Sequence, residues 1–173
     1  CAIFICEFGT TNNKTNRPFF FCPRHSIKLF YFWRIFLKLR RIFFSKKSQE
    51  RLSTCHPDLQ KIFNKVIEKY DCTIVCGHRG KEEQDEAVRT GASKLAWPNS
   101  KHNSLPSKAV DVVPFPIDWT DTSRFYHFAG YVLAIAQSMG IKLRWGGDWN
   151  GDLKFRDEKF KDLPHFELAE DKV

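Results

Sequence analysis

The chain has 173 residues, 42% of them hydrophobic, enough for one domain with a real core. Its net charge of +8 is unevenly spread: residues 1–47 hold ten Lys or Arg against Glu7 alone, whereas residues 48–173 hold eighteen against nineteen acids. The charge that could neutralise phosphates lies outside the part that reads as folded, which excludes nucleic acid as the expected partner of the domain.

In chain order, residues 1–47 come first as a basic, Phe-rich segment carrying ten of the seventeen Phe, expected to be disordered or unrelated to catalysis. The sequence starts at Cys1 with no Met, which reads as a fragment, a processed form or an uncertain start. Residues 27–44 are the membrane candidate, but Lys28, Arg34, Lys38, Arg40 and Arg41 interrupt them well short of the roughly 18 apolar residues a spanning helix needs. No transmembrane helix is expected, and the order of charge and apolar residues does not fit a signal peptide. A basic-aromatic helix lying in a membrane surface is the alternative.

The domain is placed at 48–173. Leu59, Ile62, Phe63, Val66, Ile67 and Tyr70 form a helical stripe, and Pro57 suits its first turn, so a helix is predicted over 57–70. Residues 72–76 read as a buried strand and 77–80 as a turn. Residues 81–89 form a short charged helix closed near Gly91, and 92–107 a loop. Residues 109–114, rich in Val, read as a strand in which Asp111 faces away from Val110 and Val112. Asp121 or Thr122 caps a long core helix through Met139, closed by Gly140. Residues 141–145 are a further strand, 146–152 a turn-rich loop, and 165–168 a last short strand preceded by Pro164. No CxxC pair exists, so Cys72 and Cys76, four residues apart on one face of a strand, read as small apolar residues rather than ligands. The expected fold is α+β: helices packed on a small, mainly antiparallel sheet.

The chemistry concentrates in His102, Asp111, Asp162 and His165. Three can ligate a metal while the fourth handles a proton. A catalytic zinc takes three protein ligands and leaves a position for water, and His with carboxylate is the ligand set expected of a hydrolase. His102 lies in a polar loop able to fold back beside Asp111, and Glu167 shares a strand face with His165, where it can support that ligand.

The set Ser100-x-His102, Ala109-x-Asp111 and Asp162-x-x-His165, preceded by Gly77-x-Arg79 and Gln84, resembles the zinc D-Ala-D-Ala carboxypeptidase and L-alanyl-D-glutamate endopeptidase family, which includes phage endolysins. The likeness runs from about residue 48 to 168. It implies a hedgehog/D-Ala-D-Ala peptidase-like fold with the zinc site on strands and adjoining loops. One zinc ion is implied, held by His102, Asp111 and His165, with Asp162 as the catalytic carboxylate and Arg79 at the substrate carbonyl. Asp rather than Glu at 162, and a His102-to-Asp111 spacing two residues longer than the commonest form, resemble the phage subgroup. So do Pro114-Phe115-Pro116-Ile117-Asp118-Trp119 and Arg144-Trp145-Gly146-Gly147-Asp148-Trp149. The substrate implied is the L-Ala-D-Glu bond of the peptidoglycan stem peptide, cut in the bacterial cell wall by a monomer that host lysis could release. Gln84, Ser100 and Trp145 are further candidates for substrate contact, with Trp119 and Trp149 possible walls for the peptide. The alternatives are a D-Ala-D-Ala carboxypeptidase or dipeptidase and, from another class, a non-catalytic hedgehog-like zinc module, against which the intact Asp162 and Arg79 argue.

Overall fold

A computed structural model describes residues 42–169. Residues 1–41, which hold most of the candidate membrane segment and of the basic Phe-rich segment, lie outside the described residues. Among the described residues, no helix is long and apolar enough to cross a membrane. Among the described residues, four α-helices, one 3-10 turn and four strands follow one another: α1 (Lys46–Ser53), α2 (Pro57–Val66), β1 (Cys72–Cys76), α3 (Lys81–Arg89), the 3-10 turn (Lys101–Asn103), β2 (Ala109–Pro114), α4 (Thr122–Ser138), β3 (Leu143–Trp145) and β4 (His165–Leu168). The strands form one antiparallel sheet in the order β1-β2-β4-β3, the α+β architecture expected from the sequence.

The apolar stripe of α2 stops earlier than its spacing predicts. Leu59, Ile62, Phe63 and Val66 are buried within the helix, whereas Tyr70 lies beyond its end and packs against Phe128 and Tyr131. His56 caps the start, its Nδ1 accepting from the Asp58 amide at 3.3 Å. On α4, capped by Asp121, Phe125, Phe128, Ala129, Val132 and Ala136 are buried. The core lies between α2, α4 and the face of the sheet that carries Ile74, Val110, Val112 and Phe166. Phe166 has no exposed surface and meets Phe63 and Phe128 edge-on. Burying one such ring stabilises by about 2–3 kcal/mol.

Helix α1 covers the outer edge of β1. Ile74 donates its amide to Ser48 Oγ at 3.3 Å, and Arg51 Nη1 donates to the Ile74 carbonyl at 2.9 Å. An edge strand's open hydrogen-bonding groups are thereby occupied. Phe44 and Leu52 extend the core from this side.

The β1–β2 register slips by one residue. Ile74 pairs with Val112, but Cys76 pairs with Asp111, leaving Val75 as the extra residue of a bulge. Side chains alternate faces, so the slip moves Cys76 from the core face to that of Asp111. The expectation that Cys72 and Cys76 share a buried face is therefore corrected: Cys72 is buried, and Cys76 is half-buried on the opposite side.

Candidate active site

The sheet's second face builds the site as a row across the strands. Cys76 on β1 pairs with Asp111 on β2, which pairs with His165 on β4. Gly146, just past β3, continues the row by donating its amide to the His165 carbonyl at 2.9 Å. Cross-strand partners share a face, so the register alone brings these side chains together. His102 reaches the row from the 3-10 turn. Ser100 caps that turn, accepting the His102 amide at 3.3 Å.

Three atoms converge. His102 Nε2 is 3.2 Å from Asp111 Oδ1, His165 Nδ1 is 3.1 Å from the same oxygen, and the two nitrogens are 3.2 Å apart. Each imidazole commits its other nitrogen elsewhere. His102 Nδ1 donates to the Gly77 carbonyl at 2.7 Å, and His165 Nε2 donates to Glu167 Oε2 at 3.0 Å. Those partners accept only, so the protons sit there, and two nitrogen lone pairs face a carboxylate oxygen with none between them. Such a cluster is repulsive unless a positive charge enters. Its edges match one face of a tetrahedron built on bonds of about 2.0–2.1 Å, for which an edge is about 3.3 Å. The donor set therefore fits a zinc ion. Cys76 Sγ, a His102 nitrogen and an Asp111 oxygen also lie within 4.8 Å of one another and could themselves hold a metal.

The titration behaviour reports the same demand for positive charge. Burial would lower His102, but the charge and hydrogen bond of Asp111, with a smaller part from Cys76, lift it to about 10. Burial would raise Asp111, yet His102 and His165 hold it far below the usual carboxylate range. Burial would also raise Glu167; hydrogen bonds from His165 and Arg144 keep it below its ordinary value, so it stands ionised behind His165. Arg144 Nε donates to Glu167 Oε1 at 2.9 Å.

Asp162 is half-buried beside this cluster. Burial lifts its carboxyl above the usual range, with Asp111 adding to the rise and His165, His102 and Arg79 opposing it. It is held in place by Gly146, whose carbonyl accepts the Asp162 amide at 2.8 Å. No side chain fits at 146: a Cβ there would lie 2.3 Å from the Asp162 carbonyl oxygen and 3.0 Å from His165 Cβ. Arg79 donates to Asp111 Oδ2 at 3.3 Å and to Gln84 Oε1 at 3.1 Å.

Three of the residues expected to contact substrate are enclosed by the protein. Gln84 has no exposed surface: its carbonyl accepts from Arg79 and Asn103, and its amide donates to Ser93 Oγ at 2.9 Å. It positions Arg79 and the 3-10 turn. Ser100 is only 9% exposed and spends its hydroxyl on the turn that carries His102. Trp145 is 2% exposed, with Nε1 donating to the Leu163 carbonyl and its ring against Tyr126 and Phe155, so it is core. The tryptophan beside the site is Trp149, its ring 5.4 Å from that of His165. Trp119 is exposed and stacks on Phe125 instead. A cavity of about 980 Å³ lies along the end of α4 and β3, lined among others by Leu133, Ala136, Leu143, Arg144 and Trp149; His102, Asp111, Asp162 and His165 are not among its lining residues.

The profile of phage L-alanyl-D-glutamate peptidases matches residues 41–169. The chain belongs to this family. Among the peptidase relatives, the L-alanyl-D-glutamate peptidase of Escherichia phage T5 is 35% identical over 120 residues, spanning 66% of this chain and 87% of its own. The crystal structure of the Serratia marcescens L-Ala D-Glu endopeptidase ChiX matches with a TM-score of 0.60 and 31% identity, covering 76% of this chain and 93% of that one. The phage peptidase family and the fold expected from the motifs are thus both found.

Proposed function

We propose that this chain is a zinc-dependent peptidase that hydrolyses the L-Ala-D-Glu bond of the peptidoglycan stem peptide. The observation that carries the metal is the convergence of two imidazole nitrogens and a carboxylate oxygen within 3.2 Å, with the other nitrogen of each ring donating elsewhere. The bond is supported by family membership and by the two L-Ala-D-Glu peptidases that the chain resembles.

His102, Asp111 and His165 would hold the ion. Zinc bound there supplies a Lewis acid that polarises a scissile carbonyl and makes water acidic enough to attack near neutral pH. Asp162 takes the proton of the attacking water on its carboxylate and returns it to the leaving amine, a role served by a carboxyl whose proton affinity burial has raised. Arg79, which keeps its charge, offers its guanidinium to the carbonyl oxygen as that oxygen becomes negative. Glu167 and Gly77 fix the orientation of the two imidazoles. The basic segment 1–47 is assigned no part in this chemistry, and the peptidase acts as a monomer on the cell wall.

Digestion of purified peptidoglycan with and without a chelator, followed by mass analysis of fragments, tests this. New N-terminal D-Glu is expected, and it disappears with chelator. Free D-Ala instead would identify a carboxypeptidase. The absence of any chelator-sensitive product would overturn the zinc-peptidase reading.

A further inference from the structure

The bulge in β1 has placed a thiol on the site face, next to two residues already assigned to the ion. Cys76 is the cross-strand partner of Asp111, on the side opposite His165. Its Sγ lies within 4.8 Å of donor atoms of both His102 and Asp111. Arg79 Nη2 donates to the same sulfur at 3.7 Å. Only one side-chain torsion separates this sulfur from a different aim. Nothing in the peptidase chemistry above uses it.

We propose that Cys76 is an additional protein donor to the zinc centre, giving the ion a thiolate on the His102–Asp111 side, with the attacking water entering as a fifth ligand. This rests on the zinc reading of His102, Asp111 and His165. The step is an added coordination with proton release: the Cys76 S–H bond breaks, a sulfur–metal bond forms, and the proton leaves to solvent. A thiolate shifts the preference of the site toward zinc and softer ions and away from the oxygen-seeking magnesium and calcium. The other two thiols of the described residues behave differently. Burial pushes Cys55 and Cys72 up to about 12, so they remain protonated in the core.

Cobalt substitution of the full chain separates the outcomes, because cobalt bound by thiolate shows a sulfur-to-metal charge-transfer band apart from the visible bands of the ion itself. One equivalent of cobalt is expected to give both bands. The charge-transfer band should vanish in Cys76→Ser and persist in Cys55→Ser. Visible bands without a charge-transfer band, or a charge-transfer band that survives Cys76→Ser, overturn the proposal while leaving the metal site standing. Cobalt binding that His102→Ala does not weaken overturns the metal site as well. A second measurement needs no variant: iodoacetamide labelling of the unaltered chain, read by peptide mass, should modify Cys76 with chelator present and spare it with one equivalent of zinc. Equal labelling in both overturns the proposal.

Discussion

Gly146→Ala tests whether the site depends on backbone proximity rather than on its ligands alone. The added Cβ would lie 2.3 Å from the Asp162 carbonyl oxygen, 3.1 Å from Asp162 Cβ and 3.0 Å from His165 Cβ. Real Cβ atoms essentially never come closer than 3.0 Å to such neighbours, so the gap must open by at least 0.7 Å. The obstructing atom is backbone and cannot swing away. The motion therefore displaces the proposed base, a ligand, or both. Misplacing a reacting group by about 1 Å costs roughly a hundredfold in rate. We expect kcat/KM on a stem-peptide substrate to fall about a hundredfold, with far-ultraviolet circular dichroism close to that of the parent. Zinc content, measured in parallel, says which neighbour moved: retained zinc points to Asp162, lost zinc to His165. A Gly146→Ala protein with activity within twofold of the parent would refute the argument that this close approach sets the catalytic geometry.

Asp162→Ala is expected to bind zinc as the parent does and to lose turnover, whereas His102→Ala loses zinc; metal analysis with a wall-lysis assay distinguishes them, and an active Asp162→Ala protein removes the proposed base. Phe166→Ala should destabilise by about 3–5 kcal/mol in denaturant unfolding, because the ring is fully buried between Phe63 and Phe128. Stability of the chelator-treated protein should depend on pH with a definite sign. His102 is raised from 6.5 to about 10, so its pairing with Asp111 contributes fully below pH 6.5 and is lost as pH rises toward 10. Asp111 is lowered, so its contribution is lost only as pH falls below 3.8. Zinc competes with the His102 proton, so the Tm gap between zinc-loaded and chelated protein should widen from pH 6 to 8, and a narrowing gap would contradict the assignment.

Most of the convergent donor cluster was legible because residue type and strand alternation already encode it. Asp111 breaks a Val run and so must face away from the core; His165 and Glu167 are two apart and so share a face. The charged helix over 81–89 and the long helix beginning at Thr122 were likewise visible from caps and periodicity. Helix α1 went unread because it buries only Ser48 and Leu52 and has no apolar stripe to detect. Cys76 was misjudged because a bulge carries no mark in a run such as Cys-Thr-Ile-Val-Cys, and a one-residue slip inverts which face a side chain occupies. Gln84 read as a candidate for substrate contact on a charged helix. Its burial depends on Arg79, Ser93 and Asn103 arriving from three other segments, which local periodicity cannot see.

The pairing of Asp111 with His165 joins residues 54 apart in sequence, across a helix and a strand that contribute no ligand. A nascent chain that stops before β4 holds His102 and Asp111 but lacks the third donor and, with it, the Glu167 that would orient it. On the proposed ligand set, metal capture would require the β2–β4 pairing, and a bound ion would report that β4 has docked.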